Sequence, residues 1–215
     1  MLKYTGKYWF VITTLLRKPL KKAYGKEVAS KALKNGKKVY RDMLAKTDDV
    51  GADNPMASNI YVSFVMMAIW KAADGAITPE SLIEVITEVM GTEKIMKHMG
   101  GGIDLNKPED CDKLAAALRA HKQWADEHPQ YQDVTWDFNF DDSLHRDGIY
   151  YHYTHCPIEK FARENGFMEV LPVGCALDYP NARAKHAILH REQTLSTGGT
   201  MCDFWLVPDQ IEDPQ

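Results

Sequence analysis

Three of the four cysteines in this 215-residue chain, Cys156, Cys175 and Cys202, fall near its C-terminal end. Each position has its own chemical logic. Cys156 directly precedes Pro157 and so stands at or near the N-cap of an expected helix. There the unpaired N–H groups and the positive dipole end lower a thiol pKa. His155 is its neighbour and a candidate proton partner, although adjacent residues of an extended strand point to opposite faces. Cys175 and Asp178 are three apart and share a face if that segment is helical. Cys202 alternates with Phe204 and Leu206 and faces the apolar side of a strand, with Asp203 on the other side. Arg183 and Arg191 are the candidate anion partners, since a planar guanidinium suits a carboxylate.

Each of these residues also has a structural reading. A free cysteine in a core is common and inert, and Cys111 reads that way. Arginines are more often salt-bridged on the surface, and Trp136 and Trp205 read as core or pocket wall. Three thiols with a carboxylate invite a metal, but no Cys-x-x-Cys pair accompanies them. His186 and His190 are four apart in an expected strand, which separates them by about 13 Å. A metal held by the cysteines is therefore not favoured, and no cofactor is expected. The chain carries no Gly-x-Ser-x-Gly elbow, no His-Glu-x-x-His and no phosphate loop. Gly100-Gly101-Gly102 lacks the strand and lysine of a nucleotide site and reads as a flexible break.

The elements that must position these groups follow from periodicity. Apolar residues at helical spacing predict helices over about 20–46 and 57–73, the second stopped by Gly75. Thr78 as N-cap and Pro79 at the first helical position start another, with Leu82, Ile83, Ile86, Val89 and Met90 on one face. Asn106 and Pro108 introduce a helix with Leu114, Ala117, Leu118, His121 and Ala125 on its apolar face. After Pro129 the period becomes two: Val134, Trp136, Phe138 and Phe140 alternate with polar residues. Arg146-Asp147-Gly148 reads as a hairpin turn and 149–154 as the returning strand. Short helices are expected from Pro157 to about Asn165 and from about Val173 into Tyr179-Pro180. Strands at about 187–195 and 200–207, joined by 196–199, end the chain. The expected fold is α+β: a single domain over 1–215, with a helical part (1–128) packed on a four-stranded antiparallel sheet (129–208) of ββααββ order.

Composition bounds the function classes. With 45% hydrophobic and 10% aromatic residues the chain can build a substantial core, and four cysteines are too few for a disulfide scaffold. The net charge of −4 hides an asymmetry. Residues 1–46 hold 13 of the 26 Lys and Arg residues against Glu27 and Asp42 alone. A basic helical arm of this kind is expected to pack across an acidic body, its own or that of another copy in a homo-oligomer. Anionic lipid is a further reading of the arm, while nucleic acid is not expected because no basic-aromatic module accompanies it. The apolar runs 8–16 and 60–70 are too short to span a bilayer, and no cleavable leader is evident, so a cytoplasmic location with reduced thiols is expected.

Several of these residues together resemble a known family. Cys156-Pro157 with its helix, Cys175-Ala176-Leu177-Asp178, and the ending Arg191-Glu192-Gln193-Thr194, Gly198-Gly199 and Cys202-Asp203-Phe204 are similar to the L-2-amino-thiazoline-4-carboxylic acid hydrolase family. Tyr24-Gly25-Lys26-Glu27 and Gly36 resemble that family's opening helix. The resemblance implies hydrolytic opening of a cyclic amidine, the thiazoline ring, to a carbamoyl-cysteine in bacterial cysteine formation. On that reading Cys156, Cys175, Asp178 and His155 are catalytic candidates. Arg191, Thr194, Cys202 and Asp203 are candidates for holding the small-molecule substrate. Two other classes stand beside it: a non-catalytic binding or sensing domain similar to the four-vinyl-reductase type, and an interaction protein recruited through the basic arm.

Overall fold

The computed structural model describes residues 2–141 and 147–210. Arg146 of the expected hairpin turn lies outside them. The chain divides into two compact units, Met1–Val89 with Pro157–Gly174, and Met90–Cys156 with Cys175–Gln215.

The first unit opens with α1 (Lys7–Lys46), which is a helical hairpin and not a rod. A straight helix would separate Trp9 from Tyr40 by about 46 Å, yet their rings lie 5.5 Å apart. The reversal falls at Gly25, whose φ of 80° and ψ of 163° only glycine adopts readily. Trp9, Thr13, Leu16 and Leu20 form the buried stripe of the first arm; Ala29, Ala32, Gly36 and Tyr40 belong to that of the second. Gly36 lets the arms close, since a Cβ there would lie 2.8 Å from the Trp9 ring and 3.1 Å from the Ala68 carbonyl oxygen. The sequence expectation begins this helix at about residue 20; the structure begins it at Lys7, and of the apolar run 8–16 Trp9, Thr13 and Leu16 are buried while Phe10, Val11 and Leu15 stay exposed.

Against α1 packs α2 (Ala57–Ala73), apolar nearly all round and buried accordingly. It ends at Asp74 and Gly75, both with positive φ. Thr78 then caps α3 (Pro79–Met90), accepting from the Ser81 N–H at 3.3 Å. After an interval of chain, α6 (Pro157–Asn165) returns to this unit, with Phe161 4.4 Å from Phe64. Gly166, at φ 75°, stops it as expected.

The second unit contains α4 (Glu93–Gly100), α5 (Pro108–Glu127), a 3-10 turn over Pro129–Val134, and a four-stranded antiparallel sheet. Its strands are β1 (Phe138–Asn139), β2 (Ile149–Tyr153), β3 (Ala187–His190) and β4 (Cys202–Pro208), in the spatial order β1-β2-β4-β3. The α+β class is as expected. The ββααββ order is not: between β2 and β3 lie three helices, α6, α7 (Leu171–Cys175) and α8 (Asp178–Arg183). Cys175 and Asp178 therefore end one helix and begin the next instead of sharing a face of one. Two strands are shorter than their alternation suggests. Pro129 winds 129–134 into a 3-10 turn, and β3 stops at His190 where side chains capture the backbone, as described below. Gly100 is no flexible break: a Cβ there would lie 2.2 Å from the Ala184 carbonyl oxygen, so α4 meets the end of α8 in backbone contact.

Candidate active site

The site lies within the second unit and is built on β4 and the turn that follows β3. Asp203 on β4 accepts from the backbone N–H groups of Glu192 and Gln193, each at 2.8 Å. That clamp diverts the chain out of the sheet and fixes Arg191 at the bend. Arg191 is 3% exposed. Its Nε donates to the Asp203 carbonyl at 3.1 Å, its Nη1 to the Cys175 carbonyl at 3.3 Å, and its Nη2 to Asp178 Oδ2 at 2.8 Å. The guanidinium carbon lies 4.0 Å from the Phe204 ring centroid, and Tyr151 stacks on the same ring at 4.6 Å. Burial, aromatic stacking and three acceptors together hold this cation in one orientation.

Asp178, the first residue of α8, keeps about a third of its side-chain surface exposed (32%). Burial of the rest raises its pKa, against the opposing pull of Arg191. The pKa of Arg191 is raised too: burial opposes its charge, but the Asp178 carboxylate outweighs that. Burial also lowers Lys185, which feels the same carboxylate.

The cysteines sit differently. Cys175 closes α7, and burial, with Asp178 adding to it, pushes its thiol up against a hydrogen bond to the Ser196 side chain. Burial pushes the Cys202 thiol up to about 11, although the Leu195 N–H donates to its sulfur at 3.3 Å. Cys202 also interacts electrostatically with Cys175, Arg191 and Asp178, so these four side chains form one cluster. Cys156 joins it through Tyr153, a β2 residue opposite Cys202 that feels Asp178, Cys156 and Cys202 together. Burial raises both Tyr151 and Tyr153. Cys111 stands elsewhere, donating to the Leu105 carbonyl.

The remaining sequence candidates lie in supporting networks. The His155 ring Nε2 faces the Asp133 carbonyl at 3.1 Å and therefore carries the proton there. Its backbone N–H and that of Thr154 both donate to Asp137, which holds the chain just before Cys156. The Thr194 hydroxyl, at the N-cap of a 3-10 turn over Leu195–Thr197, lies 2.8 Å from that of Ser196 and 3.0 Å from that of Thr197. Asp203 serves the clamp already described. Arg183 is exposed. Sequence reasoning did not single out Tyr151, Tyr153, Ser196 or Asp137. The alternation of the 149–154 strand places the two tyrosines on one face with Cys202 and Phe204, a signal that was available. Among the described residues no three His, Cys, Asp or Glu side chains are grouped to hold a metal ion. No described helix is long and apolar enough to cross a membrane.

A family model described as L-2-amino-thiazoline-4-carboxylic acid hydrolase matches residues 58–206, a span that takes in every site residue named above. No curated protein and no solved structure matches the chain.

Proposed function

We propose that this chain, which belongs to the L-2-amino-thiazoline-4-carboxylic acid hydrolase family, opens a small cyclic amidine such as L-2-amino-thiazoline-4-carboxylate to a carbamoyl-cysteine. The observation that carries the reading is the buried Arg191–Asp178 pair set among Cys175, Cys202 and, through Tyr153, Cys156. The ring carbon bonded to both nitrogen and sulfur is electrophilic. One water adds to it, the tetrahedral carbon collapses, one ring bond to that carbon breaks, and the departing heteroatom takes up a proton.

In this reading Asp178 is the general base. Burial raises the Asp178 carboxyl above its ordinary value against the pull of Arg191, so it takes up a proton more readily than a solvated carboxylate, and Arg191 fixes its direction. Arg191 is a positioning residue: three of its N–H groups are spent on protein acceptors, in place of the substrate-carboxylate role expected from sequence. Cys175 and Cys202 are neutral near pH 7 and line the site, with Tyr151 and Tyr153 forming its wall. Cys156 is the thiol left for covalent attack on the ring carbon, the alternative to direct attack by water. The Cys156→Ser variant separates these routes, because unchanged turnover leaves water as the nucleophile. The function itself is tested by incubating the protein with a panel of thiazolines and other cyclic amidines, with and without chelator, and detecting ring-opened product by mass spectrometry. Tight retention of an unaltered ligand with no product would instead mark a binding or sensing domain.

A further inference from the structure

The first arm of α1 carries a surface that the hydrolase reading does not use. Phe10 is 70% exposed, Val11 46% and Leu15 41%. With a helical period, these three and Thr14 share one face, opposite the buried stripe of Trp9, Thr13, Leu16 and Leu20. The Thr14 hydroxyl bonds back to the Phe10 carbonyl at 2.7 Å, so it makes no demand on the surroundings of that face. Lys7 precedes the apolar group, and Arg17, Lys18, Lys21 and Lys22 follow it on the same side of the helix, all exposed. Residues 1–26 contain seven Lys and Arg and no Asp or Glu. Of the collar cations, Lys22 reaches Glu88 at 3.1 Å in an ion pair open to solvent.

We infer that this face docks the protein on an anionic lipid bilayer. Apolar side chains within a basic collar match the boundary of such a surface, where the acyl region takes Phe10, Val11 and Leu15 while the head groups take the cations. A second copy of the chain is a poorer occupant, because it would bring the same uncompensated cations into the contact. An acidic protein partner would satisfy the charge but not by itself the exposed phenylalanine.

The test is co-sedimentation of the full chain with vesicles of phosphatidylcholine alone and with vesicles containing phosphatidylglycerol. Binding to the anionic vesicles at least about tenfold tighter, and lost at high salt, is expected. The double variants Phe10→Ser with Leu15→Ser, and Lys18→Glu with Lys21→Glu, should each weaken it by about tenfold or more while leaving the thermal midpoint in place. Absence of vesicle binding would overturn the inference. So would equal binding to both vesicle types, or full binding by the serine variant. A wild-type dimer that the serine variant converts to monomer, without vesicle binding, would assign the face to self-association instead.

Discussion

Arg191 and Asp178, thirteen residues apart, meet at 2.8 Å with the guanidinium almost wholly buried and the carboxylate partly open. The asymmetry matters. The cation is locked by three acceptors and an aromatic ring, while about a third of the acid's side-chain surface stays exposed.

Removing the locked partner should cost far more than an ordinary surface ion pair. Arg191→Ala strands a largely buried carboxylate and vacates the Phe204 face, so a loss of about 3 kcal/mol or more in urea unfolding is expected. Adding Asp178→Asn should recover part of that loss. A purely additive double variant would show that the two side chains do not act as a pair.

The thiols set an alkaline limit. The Cys202 pKa rises from an ordinary 9.0 to about 11 on folding, so its stabilising contribution is complete below pH 9 and disappears as the pH passes through 11. That contribution is about 3 kcal/mol, and Cys175, raised in the same direction, adds to the trend. Urea midpoints should fall between these pH values, and the Cys202→Ala variant should show a shallower fall than the parent.

Backbone contact at Gly100 can be tested by one methyl group. Gly100→Ala places a Cβ 2.2 Å from the Ala184 carbonyl oxygen, which cannot rotate away. A destabilisation of about 1–3 kcal/mol is expected, against a slight gain for the same change at an unhindered helical glycine.

Local signals made much of the fold readable. Pro157 and Gly166 bracket α6, Thr78 and Pro79 start α3, and the apolar continuity of 57–73 marks α2, all of which the structure reproduces. The hairpin in α1 is not legible in the sequence, because Gly25 lies between helix-forming neighbours and only the meeting of Trp9 with Tyr40 exposes the reversal. The end of β3 is hidden for a comparable reason: the alternation continues past His190, but the Asp203 clamp comes from another strand and leaves no trace in the local pattern. At the site, residue chemistry pointed to Cys156, Cys175, Asp178, Arg191 and Cys202. Their pairing is a product of sheet order, so the bond that occupies Arg191 could not be anticipated from spacing along the chain.

Turnover of L-2-amino-thiazoline-4-carboxylate by the parent protein and by Asp178→Asn, with carbamoyl-cysteine quantified by mass spectrometry, tests the central assignment most directly. The parent should form product and the variant should lose about 100-fold or more in kcat, the usual worth of a positioned base. Equal rates in the two proteins, or no ring-opened product from the parent, would contradict it.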